Sequence, residues 1–185
     1  MRRALLSLSM LCASPLLFGC QGKHEFHALT VANAGFEEAA EKTGVANWIF
    51  RQHAGPTAYE IGVDTQDPAE GKASFRIHRT QQQVFGSISQ LVALPDAVGK
   101  TLHLHAKVKT ADVSGGQWML TLSFLGSGSG IVEQTRSSGV DGTTGWRDLD
   151  VEAVVPTRAT RVMIGASLGG DGTAWMDDVR LEISQ

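Results

Sequence analysis

The chain is short of cysteine, aromatic residues, basic runs and long apolar stretches, and each shortage removes a class of protein. Of its 185 residues only Cys12 and Cys20 carry a thiol. Both lie in the first twenty positions, so the domain beyond them has neither a disulfide framework nor a cysteine nucleophile. Such a domain is held by its core, with a bound metal as the available cross-brace. After Phe18 no apolar stretch of about 20 residues occurs, so that part of the chain has no membrane-spanning helix. The 16 basic residues stand against 19 acidic ones, a formal net charge of −3. A mildly acidic chain without a Lys/Arg stripe argues against nucleic acid as partner. Aromatic residues make up 6% of the chain, with one tyrosine, which is sparse for a surface built on ring stacking. Gly165-Ala166-Ser167-Leu168-Gly169 has Gly-x-Ser-x-Gly spacing but falls at the end of a strand-like run with no helix after it, so it makes no nucleophile elbow, and Gly126-Ser127-Gly128-Ser129-Gly130 opens no helix that would make it a phosphate loop. Glu60, Asp64, Glu133 and Asp148 offer carboxylates, but no pair is singled out for glycosidase chemistry. The sequence therefore points away from catalysis.

Glycine and period-two patterning are plentiful. Thr101–Lys109 alternates apolar and polar residues over its whole length, as a half-buried strand does. Similar runs occupy Thr57–Val63, Ala73–Arg79, Gly86–Leu94, Gln117–Leu125, Arg147–Val155, Arg161–Leu168 and Ala174–Ile183. Turn-formers separate them: Asp67-Pro68, Pro95-Asp96, Ser114-Gly115-Gly116, the 126–130 segment, Gly139-Val140-Asp141-Gly142 and Gly169-Gly170-Asp171-Gly172. The 21 glycines sit largely in these joints, as many tight reversals require. Helix-forming residues gather only at Phe36–Lys42, and Gly44 stops them within two turns. Many short strands at this spacing predict an all-β fold, an antiparallel β-sandwich or jelly roll.

The first residues have the layout of an export signal: Arg2 and Arg3, then an apolar run from Ala4 to Phe18. The run ends in Leu17-Phe18-Gly19-Cys20, which resembles the lipobox of bacterial lipoproteins. That resemblance implies cleavage before Cys20, lipidation of Cys20, and a mature chain fixed to a membrane by acyl chains rather than by a helix. Without Arg2 and Arg3 the mature chain has 14 basic against 19 acidic residues, a net charge of −5. Gln21 after the cysteine, in place of Asp, fits outer-membrane sorting within the lipoprotein pattern. The expected organisation is a signal peptide over 1–19, a lipidated tether over 20–28 and one domain over 29–185.

Landmarks along that domain resemble the CenC-type, calcium-containing jelly-roll carbohydrate-binding modules, within the wider galactose-binding-like fold. They are Asn33-Ala34-Gly35-Phe36-Glu37 with Asn47-Trp48, then Gly71-Lys72-Ala73-Ser74, Gln90-Leu91-Val92, Gly145-Trp146, Pro156 and finally Gly172-Thr173-Ala174-Trp175-Met176-Asp177-Asp178-Val179-Arg180-Leu181. The resemblance implies a structural Ca2+ held by Glu37 and Asp177, with Glu38 and Asp178 as alternates and a main-chain oxygen from the loop holding Lys72. Alternation puts Trp175, Asp177, Val179, Leu181 and Ile183 on one face of a terminal strand. An aspartate on an apolar face is costly unless paired or metal-bound. Pairing of these acids with Arg76, Arg79 or Arg180 is the other outcome.

Sugar binding in such modules rests on aromatic platforms and polar partners. The candidates carried forward are Trp118, Tyr59, Phe85 and Gln90, with Trp48, Phe50, Phe124 and Gln117 in the wider set. Trp48 and Trp175 lie in motifs that pack in the core of these modules. Trp146 follows a turn glycine and is expected to plug the sandwich, and Trp118 alternates with Leu120 and Leu122. His103 and His105 point the same way from one strand and form at most half of a zinc or copper site. The sequence thus predicts a lipid-anchored, non-catalytic protein of the outer membrane or cell envelope that binds a poly- or oligosaccharide. The alternative is an envelope protein–protein interaction module that has kept the sandwich and lost the sugar site.

Overall fold

The structure, a computed structural model, describes residues 25–40, 44–94, 96–128 and 130–184. Among the described residues regular structure is all strand: β1 (Phe26–Leu29), β2 (Ile49–Gln52), β3 (Tyr59–Asp64), β4 (Ser74–Arg79), β5 (Gly86–Ala93), β6 (Thr101–Leu125), β7 (Ile131–Arg136), β8 (Val140–Val154), β9 (Arg161–Leu168) and β10 (Asp171–Ser184). All pairings are antiparallel. The protein is an antiparallel β-sandwich, as the alternation predicts.

One strand builds both layers. β6 runs for 25 residues, far beyond the usual 3–10 of a single strand. Its first half pairs with β10 and β8, and its second half with β9 and β7. The first layer is completed by β4 and β3, with β1 on the far end of β10; the second runs β2-β5-β9-β6-β7. The passage between layers falls at the predicted turn Ser114-Gly115-Gly116, where the strand bends rather than ends. Register shifts cluster there. At Gly116 an added Cβ would collide with the Gly169 backbone, so only glycine lets the two segments touch.

The core follows from period-two patterning. Leu102, Leu104, Ala106 and Val108 in the first half of β6, and Trp118, Leu120, Leu122 and Phe124 in the second, are fully buried. They meet Val162, Ile164, Ala166 and Leu168 of β9 and Ile88 of β5. Each buried Val, Leu, Ile or Phe side chain contributes roughly 1.5–3 kcal/mol, and the core lies between the two layers.

Two expectations are corrected, the start of the domain and the single face of β10. β1 pairs Phe26 with Ser184 and Leu29 with Leu181, so residues 26–28 belong to the domain rather than to a tether. Phe36–Ala40 forms no helix, because Asn33 spends its amide on a turn: its Nδ2 donates to the carbonyls of Glu38 and Ala46, and its Oδ1 accepts from the Glu38 amide. The single face read along β10 is broken by a register shift between Asp177 and Arg180, with Asp178 at φ 46°. Ala174 and Met176 therefore face the core, Trp175 faces outward, and after the bulge Val179 and Leu181 face inward. A bulge adds one residue to one strand and so reverses the parity of all that follows. Residues 1–24, with the expected signal, Cys20 and Gln21, lie outside the described residues.

Candidate functional site

The two acids at the chain ends do come together. Asp177 is fully buried, and its Oδ2 accepts the amides of Ala69 and Glu70 at 3.0 Å each while its Oδ1 accepts the Asp178 amide at 2.8 Å. Glu37 Oε1 accepts the Lys72 amide at 2.8 Å. Gly71 lies between them at φ 60°, and a Cβ there would collide with Glu37 Oε1. A Cβ at Gly35 would sit 3.9 Å from both Asp177 Oδ1 and Glu37 Cγ. Both carboxylates thus bind the 69–72 loop to the 33–38 loop and to β10. Burial pushes the Asp177 carboxyl above its ordinary range, against the pull of the three amides. The donor set is oxygen alone, which suits calcium. Among the described residues no group of three or more His, Cys, Asp or Glu is placed to hold a metal ion. A calcium held by Glu37 and Asp177 would therefore draw its remaining ligands from backbone carbonyls and water. Of the alternates, Asp178 pairs with Arg180 at 2.5 Å, and Glu38 is as exposed as Glu37.

The sugar-binding candidates separate by burial. Trp118 is 0% exposed and stacks near Phe75 inside the sandwich. Tyr59 is 4% exposed, with its hydroxyl donating to the Leu168 carbonyl at 3.3 Å. Gln90 is an internal tie: its Nε2 donates to the carbonyls of Ala32 and Asn47, and its Oε1 accepts the Ala32 amide. These three are corrected from binding candidates to parts of the core, because their strands turn them toward the other layer. Phe85, 38% exposed, is the candidate that faces a ligand-sized space.

That space is a groove of about 530 Å³ on the outward face of the second layer, within the range of ligand sites. Strand register lays out its floor. Across one row stand Arg51, Ser87, Ser167 and Met119; across the next, Ile49, Ser89, Gly165, Thr121 and Arg136; then Leu91, Met163, Ser123 and Gln134. Phe85 and Gln52 close one end. The lining sets hydroxyls, amides and two guanidinium groups among apolar side chains, Val84, Ile88, Ile131, Met119, Met163 and the Phe85 ring. A larger hollow of about 730 Å³ at Ala93–Val98 and Thr157–Thr160 is shallow and lined mainly by small side chains. Sequence reasoning missed the groove because Ser, Thr and Met at alternate positions match the solvated face of any strand. The signal was in what those positions omit: none is acidic.

The outward face of the first layer has the opposite character. Asp150 Oδ1 sits 2.8 Å from His103 Nε2 and 2.9 Å from His105 Nδ1. Burial raises its carboxyl, but the hydrogen bonds from His105 and His103 prevail and hold it below its ordinary value. The acids beside the histidines come from the neighbouring strands, which sequence adjacency could not show. Trp146 lies on this face rather than plugging the sandwich, with its indole N–H donating to the Asp67 carbonyl. Lys109 Nζ stands 5.0 Å from the Trp146 ring centre and 4.5 Å from that of Trp175, so it occupies one face of each ring. The Trp175 indole donates to Asp64 Oδ2 at 2.8 Å.

Compared with known proteins, the chain matches no protein-family model. It is 27% identical over 153 residues to an uncharacterized HTH-type transcriptional regulator of Bacillus subtilis, a match that covers 79% of this chain. The chain spans about half the length of that relative. Solved structures share the fold. The CBM22-1 xylan-binding domain of Paenibacillus barcinonensis Xyn10C superposes with a TM-score of 0.57 at 14% identity, covering 82% of this chain and 92% of that one. A cyclase of Fischerella sp. TAU gives 0.64 at 13% identity, covering 86% and 98%. The enzymatically active domain of tailspike protein 4 from bacteriophage CBA120 gives 0.65 at 16% identity, covering 82% of this chain and 21% of that one. Carbohydrate-binding modules of families 22, 61 and 4 are among the structures with this β-sandwich.

Proposed function

We propose that the protein is a non-catalytic carbohydrate-binding module, held at the cell envelope by a lipid on Cys20 and stapled by a calcium at Glu37 and Asp177. The groove on the second layer carries the sugar reading: an open trough in which hydroxyl, amide and guanidinium groups stand beside apolar side chains and the Phe85 ring, on a fold shared with carbohydrate-binding modules. Binding rather than cleavage is favoured because glycoside hydrolysis uses a pair of carboxylates, and none lines this groove among the described residues. One observation favours the second reading, a protein partner: Phe85 is the one aromatic residue along the trough, whereas sugar platforms stack on rings.

A glycan array tests the groove. The expected result is binding to one polysaccharide class, weakened about tenfold by Phe85→Ala, since stacking on an aromatic ring is worth on the order of 1 kcal/mol or more. A blank array on folded protein removes the sugar reading in favour of a protein partner. For the anchor, Cys20→Ser is expected to abolish palmitate labelling and release the protein from membranes. A mutant that still labels and sediments with membranes overturns lipidation at Cys20.

A further inference from the structure

Charge is distributed unevenly between the two outward faces. On the first layer Asp148, Asp150, Glu152 and Glu182 alternate with His103, His105 and Lys107, and the two histidines and the lysine lie within ion-pair distance of these acids. On the second layer the outward positions are Ile49 and Arg51 of β2; Ser87, Ser89, Leu91 and Ala93 of β5; Arg161, Met163, Gly165 and Ser167 of β9; Met119, Thr121, Ser123 and Leu125 of β6; and Ile131, Gln134 and Arg136 of β7. Not one is acidic, in a chain with 19 acids. Glu133 pairs with Phe124 and so falls on the other side of β7. Of the segments flanking these strands, residues 53–58, 80–85, 126–130, 137–139 and 155–160 contain no Asp or Glu, and 94–100, after β5, contains one acid, Asp96.

Three arginines are thus left without a carboxylate. Among the described residues Arg51 has no side-chain partner. Arg136 donates to Gln134 Oε1 at 2.7 Å. Arg161 donates to the carbonyls of Gly126 and Gly128 at 3.2 and 2.9 Å, which fixes its position without cancelling its charge. Arg51 and Arg136 stand on opposite edges, with β5, β9 and β6 between them. At about 4.8 Å per strand spacing this is roughly 19 Å, longer than any single pyranose. A planar guanidinium binds carboxylate or sulfate oxyanions bidentately, and the hydroxyls of Ser87, Ser89, Thr121, Ser123 and Ser167 between the arginines suit a polyhydroxylated chain.

We infer that the groove takes an anionic polysaccharide, one whose sugars carry carboxylate or another oxyanion, lying across the strands from Arg51 to Arg136. This rests on the sugar-binding reading above and narrows it. The test is affinity electrophoresis and calorimetry of the protein against polygalacturonate, dextran sulfate, neutral xylan and single-stranded DNA, at low and at physiological salt. The expected result is binding to polygalacturonate or dextran sulfate, with whichever is preferred identifying the oxyanion. Affinity should fall about tenfold for each of Arg51→Gln and Arg136→Gln, the loss of a charge-assisted hydrogen bond, and should fall as salt rises. Lys107→Gln, on the other face, leaves it unchanged. Binding to neutral xylan that ignores both arginine variants overturns the anionic proposal and keeps the sugar reading. Binding to no polysaccharide overturns both. DNA binding as tight as polygalacturonate binding overturns the proposal in favour of indiscriminate polyanion attraction.

Discussion

Asp177→Ala is expected to lower the unfolding free energy by about 3–5 kcal/mol, because three part-buried amides lose their acceptor at once and an orphaned donor costs about 1 kcal/mol or more. Thermal or urea denaturation measures it. Asp177→Asn should cost less: its carbonyl can still serve Ala69 and Glu70, while its NH2 faces the Asp178 amide. The pH dependence follows from the raised carboxyl. The folded state holds that proton more tightly than the unfolded chain, so this group's favourable contribution is present below the ordinary aspartate range and is lost as pH rises through the raised value. Calcium reverses that logic by favouring the anion. With calcium at a hundred times its Kd, the wild type should gain about 2.7 kcal/mol over the chelated protein, and Asp177→Asn should gain none. Equal melting temperatures with calcium and with chelator would sink the calcium proposal while leaving the amide network intact.

Trp118→Ala should cost about 3–5 kcal/mol of stability, the price of emptying a fully enclosed indole site. The same residue headed the sugar-binding candidates, so the two roles give different readouts. A binding role predicts lost affinity in a protein of normal stability. The geometry predicts a lower denaturation midpoint, with affinity retained in whatever fraction remains folded. Trp118→Phe sharpens the test. The Trp118 indole N–H is buried without an acceptor among the described residues, so phenylalanine removes an unsatisfied donor along with some volume. Its cost should fall well short of the alanine variant's. A Trp118→Phe protein that is stable but blind to polysaccharide would restore the indole to the binding face.

How far the sequence could be read depended on where period-two alternation held. Leu102 to Val108 and Leu120 to Phe124 announce their buried faces, and β4, β5 and β9 follow their predicted bounds within a residue or so. Alternation failed wherever one residue changed parity. The bulge at Asp178 turned Trp175 outward, and nothing in the local sequence marks Asp178 as left-handed. Trp146 was misplaced for a related reason: register shifts in β6 opposite β8 moved it to a surface where Lys109 could reach it. The short strands β1, β2 and β7 escaped notice because four to six residues of mixed polarity carry little periodic signal; pairing with β10, β5 and β6 makes them strands. Glu37 and Asp177 were found through a resemblance. The groove depended on aligning several strands side by side, which no single segment displays.

The position of β10 also bears on when the molecule becomes a molecule. It is the last strand in chain order, yet it stands between β6 and β4 and also receives β1. Until residues 171–184 have left the ribosome, the β3–β4 hairpin has no sheet to join and β1 has no neighbour. Such long-range closure is slow. The first layer therefore closes after the second, whose strands β2, β5, β9, β6 and β7 all precede β10 and pair without it.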